Sequence, residues 1–136
     1  MTIETAWTAE TTDEAISAAD AAAIRACILD YFEGWFDGDA ERMERALHPD
    51  LAKRALRDGK LSESPAPQMI DATAAGMGKQ LDPGERRIEI EVVDIHPPIA
   101  AAVVHSNVYR EYVHLVQTES GWKIANALWE WDRNAD

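Results

Sequence analysis

The sequence predicts an α+β domain, on three observations: stretches of helical periodicity come first, four runs of strand-like alternation follow Arg87, and no strand–helix–strand alternation connects them. At 136 residues one hydrophobic core is expected. We assign that core to a single domain over residues 17–136 and read residues 1–16 as a flexible acidic leader. The leader's apolar anchors Ile3 and Trp7 offer too little surface to order it.

Ile24, Cys27, Ile28, Tyr31 and Trp35 recur at helical spacing from Asp20 onward, with Asp20, Arg25, Asp30 and Glu33 on other faces, and define a first long helix. Gly34 and Gly38 weaken its end, and Asp39 is placed to cap a short second helix carrying Met43 and Leu47. That helix is expected to stop at His48-Pro49, because a residue before proline is pushed out of the helical region. Residues 51–64 mix charges with scattered leucines around an Asp58-Gly59 turn and read as an extended or irregular passage. Pro65 and Pro67 introduce a third helix with Met69, Ile70, Thr73, Ala74 and Met77 on one side, ended by Gly78 and Asp82-Pro83-Gly84.

The alternation of "RIEIEV" makes a half-exposed strand, and His96-Pro97-Pro98 a turn. "IAAAVVHS", "VYREYVHLVQ" and "WKIANALWEW" complete the meander, the last two joined by a short hairpin at Glu119-Ser120-Gly121.

With 13 Lys and Arg against 25 Asp and Glu, the formal charge of -12 repels nucleic acid phosphates and anionic lipid, which excludes both as partners. No run is long and apolar enough for a spanning helix, no secretory signal opens the chain, and the single Cys27 reads as a buried inert thiol. The expectation is a cytoplasmic protein. Gly-rich phosphate loops, Cys-x-x-Cys and His-Glu-x-x-His are absent, so no cofactor is expected.

Taken together, Tyr31-Phe32-Glu33-Gly34-Trp35, then "GDAERMERALHPD", then the closing "YVHLVQTESGWKIANALWEW" resemble the nuclear-transport-factor-2-like superfamily. Within it, the SnoaL-like and putative lumazine-binding families are the most similar, over about residues 18–132. The resemblance implies a cone-shaped, cystatin-like fold, in which N-terminal helices pack on a curved antiparallel sheet around an apolar pocket. It also implies a homodimer through the outer face of the sheet. Members isomerise, cyclise, dehydrate or only bind, so the fold does not name an activity.

A cavity lined by Tyr31, Trp35, Met43, Met69, Met77 and Tyr112 would suit a flat apolar or aromatic molecule, although such a stripe also serves as plain core. Catalysis in this fold needs a carboxylate or histidine facing that cavity, and the candidates are His48 and Asp37, with Asn126 as a polar partner. His48 is expected at the pocket rim, as helix cap or as ligand contact; Asp37 precedes a glycine and reads first as a turn residue.

Alternation along the last strand sets Asn126 with Trp122, Ile124 and Leu128, and puts Trp129 and Trp131 on the opposite, outer face, where they would join two subunits. Glu41, Glu44, Glu89 and Glu91 are read as surface charges, Asp94 and His96 as turn residues. The four histidines form no ligand set: a hairpin near residues 106–109 pairs His105 with about residue 110 and not with His114, so no metal is expected.

Three functions remain: a small-molecule binding protein, an acid–base enzyme of the cyclase, isomerase or dehydratase kind, and a structural homodimer that recruits a partner. A complete acid–base pair inside the cone would favour the enzyme. No second carboxylate is visibly committed to the interior, so binding is expected first.

Overall fold

The computed structural model describes side chains over residues 18–133, and the acidic leader predicted over residues 1–16, Trp7 included, lies outside them. Helix α1 is Ile3–Asp37. Its inward stripe is the one the periodicity marks: Ile24 and Ile28 are fully buried, Cys27 and Tyr31 nearly so, and Phe32 and Phe36 widen it. The helix ends in a Schellman motif, with Gly38 N–H donating to the Trp35 carbonyl and Asp39 N–H to that of Gly34. Gly38 meets the left-handed backbone this requires, at φ 70°.

Asp39 then caps α2 (Ala40–Ala46), its carboxylate accepting from Arg42 N–H at 3.2 Å. The two helices cross so closely that a Cβ at Gly34 would lie 3.0 Å from Arg42 Cβ. Arg42 and Arg45 both donate to Asp30, which ties α2 to α1.

The predicted helix stop at His48-Pro49 is displaced. Helix α2 ends at Ala46, and strand β1 (Leu47–Arg57) begins at Leu47, already extended, so that His48 and Pro49 lie in a strand. Pro49 has no N–H for a ladder, and the pairing of β1 is irregular between Leu47 and Ala52. The passage read as extended or irregular is a hairpin: β1 turns through Asp58 and Gly59, with φ of 52° and 78°, into β2 (Lys60–Glu63). Helix α3 (Ala66–Ala74) follows Pro65 and buries Ala66, Met69 and Thr73. A 3-10 turn over Lys79–Leu81 leads toward the meander.

Strands β3 (Ile88–His96), β4 (Ile99–Ser106), β5 (Tyr109–Thr118) and β6 (Gly121–Trp131) complete a six-stranded sheet in the order β2-β1-β6-β5-β4-β3. The helices pack on one face of this curved sheet. The sheet is mixed and not purely antiparallel as predicted: β1 runs parallel to β6, and the chain from β2 through β5, not a hairpin, connects the two. In the β4–β5 hairpin His105 pairs with Arg110, as its spacing predicts.

One irregularity decides the site. Opposite β5, His114 pairs with Asn126 and Leu115 with Ile124, so Ala125 is an extra residue, a β-bulge. Before it, Trp122 and Ile124 point to the helices; after it the parity is reversed, and Ala127, Trp129 and Trp131 point there while Asn126 and Leu128 turn outward. The predicted outer face bearing Trp129 and Trp131 is thereby overturned. Among the described residues no helix is long and apolar enough to cross a membrane.

Candidate functional site

Between the last turns of α1, helix α3 and the inner face of β1, β5 and β6 lies a cavity of about 520 Å³. That size is within the usual range of small-molecule sites, roughly 300–1,000 Å³. Phe32, Trp35, Met69, Tyr109, Trp129 and Trp131 give it apolar walls. Tyr109 is stacked on Trp131 with ring centroids 5.2 Å apart and meets Trp129 edge-on at 5.3 Å. Trp35 Nε1 donates to Tyr109 Oη across 2.9 Å, which satisfies an indole N–H in the wall.

Three polar side chains converge at this cavity, each delivered by a different element. Tyr31 comes from the buried stripe of α1, Lys53 from β1 between inward-facing Leu51 and Ala55, and Glu111 from β5 between inward-facing Tyr109 and Val113. They are 3%, 9% and 2% exposed. Tyr31 Oη donates to Glu111 Oε2 across 2.6 Å and accepts from Lys53 Nζ, so one hydroxyl bridges an amine and a carboxyl. Lys53 Nζ also lies over the rings of Tyr31 and Trp129, 4.9 and 5.4 Å from their centroids.

Burial governs the protonation of all three. It pushes the Glu111 carboxyl above the ordinary carboxylate range, against the pull of Lys53 and of the Tyr31 hydrogen bond. It holds the Lys53 amine below the ordinary lysine value, opposed by Glu111. Tyr31 is raised well above the ordinary phenol by burial and then by the neighbouring Glu111, so its proton stays on. The acid and the amine are thus drawn toward the neutral range from opposite sides, which is the condition for moving a proton within an apolar site.

The residues predicted for the site divide sharply. Tyr31, Trp35, Met69 and Met77 line the cavity, Met77 at its half-open mouth. Met43 does not: it is fully buried core beneath α2. Tyr112, 51% exposed, points from β5 to the opposite face, since it alternates with Glu111. Asn126 is turned to that same face by the bulge and faces His114 Nδ1 across 3.3 Å.

His48 also lies there, in an open groove with Asp50, Asp94, His96, His114 and Asn126. It neither rims the cavity nor caps α2; its Nδ1 accepts from Asp50 N–H at 3.0 Å. Asp37 lies outside the cavity and accepts from Arg86 Nη2 at 2.6 Å, closing the chain after the 3-10 turn onto the end of α1. No group of three His, Cys, Asp or Glu among the described residues stands where a metal could be held.

Lys53 and Glu111, the two ionisable centres, were missed by sequence reasoning. Glu111 was findable, because it shares the parity of Tyr109, Val113 and Leu115 on β5. Lys53 would have been findable only by reading Leu51, Lys53 and Ala55 as a strand, which the surrounding charges and the Asp58-Gly59 turn obscure.

Solved structures with the same architecture include an NTF2-like protein of unknown function from Shewanella baltica, 18% identical, with a TM-score of 0.73 over 86% of this chain and 97% of that one. Another, from Silicibacter pomeroyi, is 16% identical with a TM-score of 0.68 over 85% and 98% of the two chains. A third, an NTF2-like protein with a cystatin-like fold from Novosphingobium aromaticivorans, is 13% identical, with a TM-score of 0.67 over 91% and 89%. At such identities they speak for the fold alone. No curated protein matches the chain. A family model matches residues 19–130, nearly the whole of the described domain, and on that match the chain belongs to the family described as putative lumazine-binding.

Proposed function

We propose that the protein binds a flat, largely apolar or aromatic small molecule in the cavity and holds one polar group of it on Lys53, Tyr31 and Glu111. The observation that carries this reading is the shape of the site: an aromatic-walled space of about 520 Å³ that ends at three buried polar side chains joined through the Tyr31 hydroxyl. Rings give area without orientation, and the polar end supplies the orientation. The test is titration with a naphthyl alcohol followed by tryptophan fluorescence, since Trp35, Trp129 and Trp131 all line the space. Saturable quenching is expected, and Met69→Trp, which fills the cavity from α3, should abolish it. Absence of saturation up to ~1 mM, a binding free energy weaker than about −4 kcal/mol, would refute the reading.

A second reading, an acid–base enzyme of the cyclase, isomerase or dehydratase kind, is favoured by one specific feature. The Lys53–Tyr31–Glu111 chain is a complete proton donor and acceptor set inside the cone, with the amine lowered and the carboxyl raised by burial. Glu111 would pass a proton to a substrate oxygen through the Tyr31 hydroxyl while Lys53 takes one from carbon.

We further infer a homodimer through the outer sheet face, where Tyr112 and Leu128 are about half exposed and pair across β5 and β6. A two-fold related copy would lay this patch on itself, with Arg110 and Glu130, also paired across the strands, supplying both signs of charge beside it. We place the protein in the cytoplasm, an assignment supported by its one buried thiol.

A further inference from the structure

We propose that Lys53 forms an imine with an aryl aldehyde or ketone bound in the cavity, so that the ligand class of this site is a flat aromatic carbonyl compound. The inference deepens the binding function proposed above and rests on it. It stands first on placement. Of the four lysines, Lys60 and Lys79 are exposed, and Lys123, on β6, has its amine on the Arg45 carbonyl. Among the described residues only Lys53 brings a primary amine to the aromatic-walled space.

The second ground is what the amine touches. Lys53 forms no ion pair among the described residues; its Nζ is held by the Tyr31 hydroxyl and lies over two aromatic rings. A buried amine without a carboxylate in direct contact is costly if it serves packing alone, because an apolar side chain of similar length would fill the same space without desolvating a charge. The same surroundings suit a nucleophile. Desolvation shifts the amine toward its free-base form, opposed by the charge of Glu111. A larger share of free amine near neutral pH makes a better nucleophile.

The third ground is proton handling. Nζ attacks the carbonyl carbon, a carbon–nitrogen bond forms, and the nitrogen gives up a proton as the oxygen gains one, yielding a carbinolamine. The hydroxyl then leaves as water, taking a proton, while the second nitrogen proton is lost and the carbon–nitrogen double bond forms. Amine and carbonyl thus become imine and one water, with no oxidant or reductant. The dehydration needs an acid for the oxygen and a base for the nitrogen proton, and Glu111 fills both in turn through the Tyr31 hydroxyl, which lies 2.6 Å from it and one hydrogen bond from Nζ.

The test uses the full chain, naphthaldehyde and sodium cyanoborohydride, which fixes an imine as a stable secondary amine, with peptide mapping to locate it. Lys53 is expected to be labelled at least about tenfold faster than Lys60, Lys79 or Lys123, because the cavity holds the bound aldehyde at its amine. Saturating naphthyl alcohol, which cannot form an imine, should protect Lys53 and leave Lys60 and Lys79 unaffected, and Lys53→Arg should remove the fast label. Should the alcohol bind while Lys53 is labelled no faster than the surface lysines, the imine is refuted and the binding function stands. Should the alcohol fail to bind as well, both fall together.

Discussion

The pair of Lys53 and Glu111 should leave opposite pH signatures when each is removed. Glu111→Gln keeps an acceptor for Tyr31 and strands Lys53; Lys53→Met keeps the volume and strands Glu111. A stranded buried group has the option of neutralising, and the cost of doing so bounds the damage. For a lysine with an ordinary pKa of about 10.4, losing its proton at pH ~7 costs about 5 kcal/mol; for a glutamate near 4.3, gaining one costs about 4 kcal/mol. Both are comparable in size to the roughly 3–5 kcal/mol lost when a buried charge is left uncompensated.

The signs then separate. In Glu111→Gln the folded Lys53 has a pKa depressed below its unfolded value, the unfolded chain binds more protons, and stability recovers as pH rises, by up to about 1.4 kcal/mol per unit. In Lys53→Met the folded Glu111 has a pKa raised above its unfolded value, the folded chain binds more protons, and stability recovers as pH falls. Urea unfolding of both variants between pH ~5 and ~9, each referred to the parent, measures the two slopes. The reasoning is refuted if both variants lie within about 1 kcal/mol of the parent at every pH, or if the slopes share a sign.

Cys27 is buried, its Sγ donates to the Ala46 carbonyl at 3.4 Å, and burial pushes the thiol up to about 12, so iodoacetamide at pH ~8 should leave it unmodified in the folded protein and alkylate it promptly in urea. His48→Asn should leave naphthyl alcohol affinity unchanged, because His48 lies in the groove on the opposite side of the sheet; a tenfold loss in the same titration would contradict that placement. Tyr112→Glu, on the exposed outer face, should shift a dimer to a species near 15.1 kDa in sedimentation, and a parent that is already monomeric at micromolar concentration would exclude the proposed interface.

Much of the fold could be read from local signals. The stripe from Ile24 to Tyr31, the Gly38 termination, the Asp39 cap and the β4–β5 pairing are each set by residues within a few positions of one another. The direction of β1 is not of that kind. β1 and β6 are separated in the chain by everything from β2 to β5, so whether they run parallel or antiparallel is a tertiary fact. Likewise Pro49 forbids a helix beyond His48, but the same proline is admitted by a strand whose pairing is interrupted there.

The site was harder to read than the fold, for a reason that lies in β6 and β5 together. Parity carries a face assignment along a strand only while every residue is paired, and the extra Ala125 inverts it for all that follow. One inserted residue therefore exchanges Asn126 for Ala127 on the inner face and brings Trp129 and Trp131 to the cavity that Tyr31, Lys53 and Glu111 complete. On β5 the parity survives from Tyr109 to Leu115, so Glu111 stands out as a carboxylate within an inward apolar set, which a surface charge has no reason to be. The three polar members come from α1, β1 and β5, at separations of 22 and 80 residues from Tyr31, so no motif of fixed spacing contains them. What joins them is the enclosure itself: an apolar wall tolerates a carboxyl and an amine only if they share a partner, and the Tyr31 hydroxyl is that partner.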